Sequence, residues 1–203
     1  KREAHLKVII DETDRLTRLV NDMMDLSKIE SGIITLNKEI FNFSEVATSL
    51  IDTIKMSNID TPHKIKYSIP NDLYVLADRV KIEQVLYNLV INAIKHSGEG
   101  DRNIDIKVIA TQKRIKVEVK DDGVGISKEN LKHIWDRYYK ASESFTRNVQ
   151  GSGLGLSIVK NILLKHSSDF GAESEVGKGT TFWFDLERIP KKDALSDRTN
   201  KKD

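Results

Sequence analysis

The chain has 203 residues, 38% hydrophobic and 32% charged, which is typical of a folded protein and excludes a disordered or collagen-like one. Its 33 basic and 31 acidic residues give a net charge of +2, so no electrostatic footprint for nucleic acid is expected. The absence of cysteine excludes disulfides, thiolate metal sites and cysteine nucleophiles. No apolar run approaches the ~20 residues that cross a bilayer, so we expect a cytoplasmic segment without direct membrane contact.

The first 31 residues carry apolar side chains at helical spacing, and neither Pro nor Gly occurs before Gly32. This pattern predicts one helix, which at 1.5 Å per residue would be about 45 Å long. Its apolar stripe is typical of a bundle or coiled coil, so we expect a partner helix; folding back on its own domain is the alternative. A linker is predicted over 32–37. Because the chain begins at Lys1, we expect it to be a piece of a longer protein.

Helical and strand-like patterns alternate over residues 38–189, where we predict a single domain. The strands have one apolar face and are mostly linked by hairpins, which indicates an α+β fold built as a two-layer α/β sandwich. The tail 190–203 is predicted to be disordered. The predicted elements are a strand at 38–43, a helix from Ser44 (its N-cap) to about 55, strands at 64–69 and 74–77 joined by a turn, a helix opened by Asp78, a hairpin of strands 103–110 and 114–120, helices at 128–135 and 154–165, and strands at 170–174 and 180–186.

Two asparagines, Asn88 and Asn92, lie four residues apart on one face of the helix that Asp78 opens, and Lys95 and His96 follow them. An amide inside an apolar helix is costly unless something satisfies it. The amide oxygen is a hard ligand suited to Mg²⁺, and the lysine is placed for the phosphates that such an ion accompanies. From this motif alone, a structural role for both asparagines, in helix capping or in hydrogen bonds within the core, is as good an interpretation as a Mg²⁺ site.

A second motif, Asp121 to Ile126 with the sequence DDGVGI, follows a predicted strand directly. A carboxylate at a strand end can accept a hydrogen bond from an exocyclic amine such as adenine N6. Glycines let the backbone approach a flat ring closely. In isolation, an ordinary Asp-Gly turn is the favoured interpretation.

A third motif is the glycine-rich turn at residues 151–155, with the sequence GSGLG, which runs into a predicted helix. Exposed backbone amides at a helix N-terminus form an anion site that suits the phosphates of a nucleotide. A dinucleotide-binding turn would need an apolar strand just before the glycines, and the preceding ten residues are polar, so this alternative is disfavoured.

An aromatic cluster with two cations occupies residues 134–140. We expect Trp135 and Tyr138 to pack in the core. Arg137 and Lys140 flank a segment that could close over a ligand, so they are the candidates to reach a γ-phosphate.

The order of these motifs, followed by GKGTTF before a final strand, resembles the ATP-binding domain of sensor histidine kinases. The resemblance covers about residues 6–187, and ETDRLTRLVNDMMDLSKIESG resembles the second helix of that family's dimerisation hairpin. It implies a Bergerat-type ATP-binding fold of the GHKL type. It also implies transfer of the γ-phosphoryl of Mg-ATP to a histidine, for relay to an aspartate in the receiver domain of a response regulator.

The resemblance assigns roles to individual residues. It implies Mg²⁺ on Asn92 with Asn88 beside the phosphates, adenine on Asp121, and a lid between about residues 127 and 153. The complete candidate set is Asn92, Arg137 and Lys140 for catalysis, Asn88 and Asn92 for the metal, and for the nucleotide Asn88, Asn92, Lys95, His96, Asp121, Gly123, Gly125, Ile126, Tyr139, Gly151, Ser152, Gly153, Leu154, Gly155, Leu156 and Thr180.

Three departures from the family pattern are visible. Ser167 and Ser168 stand where two glycines are common, and Lys140 stands where arginine is common; neither threatens the fold. The acceptor histidine of the family is followed by Glu or Asp, whereas the five histidines here are followed by Leu6, Lys64, Ser97, Ile134 and Ser167.

The missing acceptor motif implies that the phosphoacceptor helix lies outside this chain. We therefore expect the isolated chain not to phosphorylate itself, and we expect the parent protein to be a membrane-anchored homodimer. An ATP-hydrolysing relative with the same fold is disfavoured, because such enzymes use a glutamate as general base where Asn88 stands. A non-catalytic nucleotide-sensing or dimerisation module is the remaining alternative.

Overall fold

The structure is a computed structural model that describes residues 35–56, 63–97, 102–139 and 153–194, together with six isolated positions nearer the N-terminus. These six positions, Thr13, Leu16, Thr17, Val20, Met23 and Met24, are helical and exposed to solvent. They agree with the predicted N-terminal helix. The remainder of that helix and residues 32–34 of the predicted linker lie outside the described residues.

The described elements match most of the predicted ones to within a few residues. In chain order they are β1 (Glu39–Asn42), α1 (Phe43–Met56), β2 (His63–Ser68), β3 (Tyr74–Ala77), α2 (Arg79–His96), β4 (Arg102–Ala110), β5 (Arg114–Asp121), α3 (Lys128–Leu131), α4 (Gly155–Lys165), β6 (Phe170–Glu175) and β7 (Gly179–Ile189).

The strands form one mixed sheet in the order β1-β3-β7-β5-β4-β2, and β6 pairs with β7 beside this path. Only the β2 and β4 pair is parallel among the described pairs. Because side chains alternate along a strand, one face collects residues such as Ile106, Val117 and Phe184, all of which are buried. Helices pack on that face through residues such as Leu89 and Ile158. The predicted two-layer α/β sandwich is therefore confirmed.

The predicted N-cap at Ser44 is wrong. Helix α1 begins at Phe43, and Oδ1 of Asn42 accepts a hydrogen bond from the N–H of Ser44 at 3.1 Å, as an N-cap does for the second helical residue. The hydroxyl of Ser44 instead donates to the carbonyl of Pro70 at 2.7 Å and accepts from the N–H of Leu73 at 3.1 Å. Ser44 thus fixes the turn between β2 and β3.

That turn does not join paired strands, which departs from the expected run of hairpins. Strand β3 pairs with β1 and β7, whereas β2 lies at the far edge beside β4. The sequence pattern identified both strands, but their partners are set by contacts distant in sequence.

Helix α3 is shorter than predicted and ends at Leu131. Beyond Leu131 the backbone N–H groups of Lys132, His133 and Asp136 donate to carbonyls three residues earlier, so the chain continues in tighter turns. Ile134 is buried in this segment, and the ring of Trp135 packs edge-on against Phe170 and Phe182, with centroid distances of 5.0 and 5.8 Å.

The predicted disorder does not begin at Pro190. Residues 191–194 form a helical turn, Ala194 is buried, and Nζ of Lys191 lies 2.7 Å from a carboxylate oxygen of Asp72. Residues 195–203 of the predicted tail lie outside the described residues.

Candidate nucleotide-binding site

Three elements that carry predicted site residues meet at one end of the sheet. Gly123, just beyond the end of β5, lies so close to the end of α2 that a Cβ there would stand 2.2 Å from the carbonyl oxygen of His96. Only glycine allows this approach. At the start of α4, a Cβ on Gly155 would stand 3.7 Å from Oδ1 of Asn88. The structure therefore brings together the predicted adenine loop, the asparagine helix and residues 153–155 of the predicted glycine turn, the part of that turn that is described.

Asp121 is buried at the end of β5, and its two carboxylate oxygens have different surroundings. Oδ1 accepts hydrogen bonds from the N–H groups of Gly123 at 2.9 Å and Thr180 at 3.2 Å. Within the described ranges, no hydrogen bond to Oδ2 is formed. Burial raises the pKa of the Asp121 carboxyl, although the two N–H donors oppose the shift. One oxygen is thus held by the backbone, and the other retains its capacity to accept a hydrogen bond.

Asp122, the neighbouring carboxylate, has a structural role. The backbone N–H and the side-chain amide of Asn103 both donate to it, at 3.1 and 2.8 Å. Desolvation opposes ionisation, but the bonds from Asn103 and the charge of Arg102 hold the pKa of Asp122 below its usual value. Of the two adjacent aspartates, only Asp121 has an oxygen left for a ligand.

Ser174 links the loop after β5 to the turn between β6 and β7. Its hydroxyl accepts a hydrogen bond from the N–H of Ile126 at 2.8 Å and lies 2.9 Å from both the carbonyl of Gly179 and Oγ1 of Thr180. The sequence analysis missed Ser174, because a single serine in a strand carries no spacing signal. The register that places Ser174 opposite Thr180 shows its role.

Gly125 has φ +70°, and a Cβ there would stand 2.1 Å from the carbonyl oxygen of Glu175. No other residue fits this position. The loop that contains Gly123 and Gly125 is therefore fixed on one side by α2 and on the other by the turn after β6.

Asn88 and Asn92 are half-buried on one face of α2. Across the described ranges, neither side-chain amide makes a hydrogen bond. The alternative interpretation of core-bonded asparagines therefore has no support in these contacts. Partly buried amides without protein partners are suited to a ligand that supplies them.

The last turn of α2 carries the other two predicted residues of this motif. Lys95 is exposed to solvent. His96 ends the helix, and its carbonyl accepts a hydrogen bond from the N–H of Val124 at 3.5 Å. Desolvation and the neighbouring ammonium of Lys95 lower the pKa of the His96 imidazole.

Gly153 and Tyr138 meet where the chain approaches α4. The N–H of Tyr138 donates to the carbonyl of Gly153 at 3.1 Å, and both residues have positive φ, +57° and +72°. The expectation that Tyr138 packs in the core is wrong, because its side chain is 63% exposed. Trp135 does pack against the core, as predicted.

The remaining predicted residues differ in their exposure. Oη of Tyr139 donates to Oδ1 of Asn130 at 2.8 Å, and the side chain of Arg137 is exposed. Leu154 is fully buried and Leu156 is partly buried. Because the side chain of Leu154 is in the core, only its backbone can face a ligand. The predictions for Lys140, Gly151 and Ser152 lie outside the described residues.

The described ranges hold no cluster of three or more His, Asp or Glu side chains that could bind a metal ion. A hard cation at this site would therefore depend on the amide oxygens of Asn88 and Asn92 and on oxygens of the ligand itself.

Among the described helices, none has both the length and the apolar composition of a membrane-spanning segment.

Comparison with known proteins finds relatives of this chain. Residues 77–190 match the family model described as histidine kinase-, DNA gyrase B-, and HSP90-like ATPase. The chain is 38% identical over 182 residues to the sensor histidine kinase WalK of Bacillus subtilis (strain 168), covering 89% of this chain and 30% of WalK. It is 35% identical over 183 residues to the sensor histidine kinase YclK of the same strain, covering 90% and 38%. The chain thus spans about a third of these relatives.

Solved structures show the same fold. The catalytic domain of the histidine kinase ThkA superposes with a TM-score of 0.64 at 28% identity, covering 76% of this chain and 99% of that domain. Full-length ShkA in complex with AMPPNP superposes with a TM-score of 0.75 at 21% identity, covering 92% of this chain and 39% of ShkA. The chain belongs to the histidine kinase-, DNA gyrase B- and HSP90-like ATPase family, and it contains the ATPase catalytic domain of a sensor histidine kinase.

Proposed function

We propose that this chain binds Mg-ATP and transfers the γ-phosphoryl group to a histidine on a hairpin helix outside the chain, for relay to the receiver domain of a response regulator. The observation that carries this proposal is the pairing of two features at one end of the sheet. Asp121 keeps one carboxylate oxygen unbonded, and Asn88 and Asn92 present unpaired amides from α2.

Adenine is the base that Asp121 suits, since its exocyclic amine donates hydrogen bonds. Oδ1 is already fixed by the N–H groups of Gly123 and Thr180, so Oδ2 is the acceptor for that amine. Ser174 holds the backbone of Ile126 in place, which keeps the loop beneath the ring from shifting. A preorganised acceptor of this kind gives selectivity for adenine over bases that present a carbonyl there.

The phosphates would lie toward the N-terminus of α4 and the asparagine face of α2. Asn88 lies beside Gly155, which begins α4, so both elements can contact one phosphate chain. We assign Mg²⁺ to Asn92 with Asn88 beside it, because their amide oxygens are unpaired and suited to a hard cation. When bound, the ion neutralises phosphate charge. Lys95, Arg137 and Lys140 are the candidate cations for the remaining charge.

Transfer is favoured over hydrolysis by the chemistry of Asn88. An amide cannot take a proton from water near neutral pH, whereas a glutamate at that position could act as general base. The site can thus orient the γ-phosphate and stabilise its charge without activating water, and an imidazole supplied by the hairpin would be the nucleophile. In the parent protein, we expect that hairpin to belong to a homodimer whose catalytic portion is cytoplasmic.

The test is incubation of the chain with γ-labelled ATP and Mg²⁺, with and without a separate hairpin fragment bearing a His-Glu or His-Asp motif. Acid treatment then removes phosphohistidine but spares phosphoserine. We expect acid-labile label on the fragment and none on the chain. A fragment with glutamine in place of the acceptor histidine is the matched control. Acid-labile label on the isolated chain, lost on changing one of its own histidines, would overturn the proposal.

A further inference from the structure

A buried histidine far from the nucleotide site connects two of the helices that form it. His166 follows the last residue of α4, and the N–H of Asp78 donates to its Nε2 at 3.0 Å. Its Nδ1 lies 2.8 Å from the carbonyl oxygen of Ile162. Nε2 must accept while Nδ1 donates, so the ring is neutral and carries its proton on Nδ1.

Asp78 is the N-cap of α2 and holds a third segment as well. Its Oδ1 accepts from the N–H of Lys81 at 3.1 Å, and its Oδ2 accepts from the N–H of Asn37 at 3.0 Å. The carboxylate thus caps the helix and ties it to the segment that enters the domain, while the backbone N–H is left for His166.

These contacts fix one end of an antiparallel pair of helices. Asp78 and His166 meet at one end, and Asn88 and Gly155 lie beside each other at the other. Asn88 lies ten positions after Asp78 and His166 lies eleven positions after Gly155, which corresponds to about 15 and about 16.5 Å of helix. Interdigitating apolar side chains already restrict how far one helix lies along the other, and the hydrogen bond between Asp78 and His166 adds a directional constraint at one end.

The surroundings of His166 favour the neutral ring. Burial lowers the pKa of the His166 imidazole, and the ammonium of Lys38 lowers it further. The carbonyl of Ile162 and the carboxylate of Asp78 raise the pKa of His166, but by less than the other two effects lower it. The acceptor at Nε2 is therefore present at neutral pH.

We propose that Asp78 and His166 are positioning residues whose hydrogen bond sets the axial register of α2 against α4, and so keeps Asn88 beside Gly155 at the nucleotide site. The inference rests on the proposed function, because it names residues that act through that site. Neither residue touches the proposed nucleotide position.

Two substitutions at His166 separate the bond to Asp78 from the bond to Ile162. In His166→Asn, the side-chain amide can still donate to the carbonyl of Ile162, but no atom occupies the position of Nε2. In His166→Gln, the amide oxygen reaches that position and can accept from the N–H of Asp78. Val117→Ala, in the core of β5, is the matched control, since it lowers stability through a cavity without touching this junction.

The measurement is the Kd for ADP with Mg²⁺ at pH 8, at a temperature where every variant is folded. We expect His166→Asn to raise Kd by up to about fivefold, because the loss of one hydrogen bond of about 1 kcal/mol can shift the population of the binding-competent register by no more than that factor. His166→Gln should restore most of the affinity. Val117→Ala should leave Kd unchanged.

Equal Kd values for the wild-type chain and His166→Asn would overturn the inference, as would equal losses in His166→Asn and His166→Gln or a loss in Val117→Ala. If the wild-type chain fails to bind ADP, the proposed function is wrong instead. Should His166→Asn fail to fold, NMR of the wild-type chain decides. A scalar coupling across the bond from the Asp78 N–H to Nε2 supports the inference, and its absence contradicts it.

Discussion

Replacement of Asp121 by asparagine tests the adenine assignment with little change in shape. Oδ1 of the new amide can still accept from the N–H groups of Gly123 and Thr180, so the loop should keep its position. The amide nitrogen then replaces Oδ2 and presents two donors to an exocyclic amine that is itself a donor. The substitution should therefore weaken nucleotide binding without unfolding the protein.

The size of the effect follows from what is lost. A hydrogen bond to a charged acceptor contributes about 1.5–3 kcal/mol, which corresponds to a roughly tenfold to hundredfold rise in Kd. Stability should change little or increase, because burial raises the pKa of Asp121 and so disfavours its charged form in the folded state. Affinity and stability are thus expected to move in different directions.

Isothermal titration with ADP and Mg²⁺, together with thermal unfolding, measures both quantities. At a ligand concentration of 100 times Kd the wild-type chain should gain about 2.7 kcal/mol of stability, and Asp121→Asn should gain much less at the same concentration. Asp185→Asn is the matched control, because Asp185 pairs with Arg114 and accepts from the N–H of Asp169, outside the site. Equal thermal shifts in the wild-type chain and Asp121→Asn would show that Asp121 does not bind the adenine.

Three further predictions concern the metal, the buried histidine and a strained serine. Asn92→Ala should remove most of the difference between ADP affinities measured with Mg²⁺ and with EDTA; an unchanged difference would place the ion elsewhere. Burial lowers the pKa of His166, so the imidazole is protonated in the unfolded chain before it is protonated in the folded chain as the pH falls below about 6.5. The free energy of unfolding, measured by urea titration, should therefore fall with pH more steeply for the wild-type chain than for His166→Gln. Parallel pH profiles would contradict this. Ser167 has φ +56°, so Ser167→Gly should raise the free energy of unfolding by about 1 kcal/mol, and a decrease would show that the serine side chain is needed.

Much of the fold follows from local patterns in the sequence. The period-two alternation in β4 and β5 predicted their hairpin, and Asp78 was recognised as the N-cap of α2 from its side chain and the apolar helix behind it. Both of these signals lie within a short stretch of chain. The adenine role of Asp121 came instead from the resemblance to sensor histidine kinases, because the motif DDGVGI in isolation favoured an ordinary Asp-Gly turn.

The features that the sequence analysis missed depend on contacts between distant segments. The pairing of β2 with β4 follows from the sheet as a whole and has no local signature. The role of Ser174 depends on its register with Thr180, and the bond between Asp78 and His166 joins residues 88 positions apart. The N-cap of α1 was misplaced because Asn42 and Ser44 are both suitable capping residues. The bonds from the Ser44 N–H to Asn42 and from the Ser44 hydroxyl to Pro70 distinguish them.

NMR titration of the isotope-labelled chain with ADP and Mg²⁺ tests the location of the site most directly. We expect the largest shifts in the side-chain amides of Asn88 and Asn92 and in the backbone amides of Gly123 and Ile126. The groove lined by Phe41, Asn42 and Ser49 near α1 provides the internal comparison and should not respond. Shifts concentrated in that groove, or unchanged side-chain amides of both asparagines at saturation, would show that the nucleotide does not bind at the ends of β5 and α2.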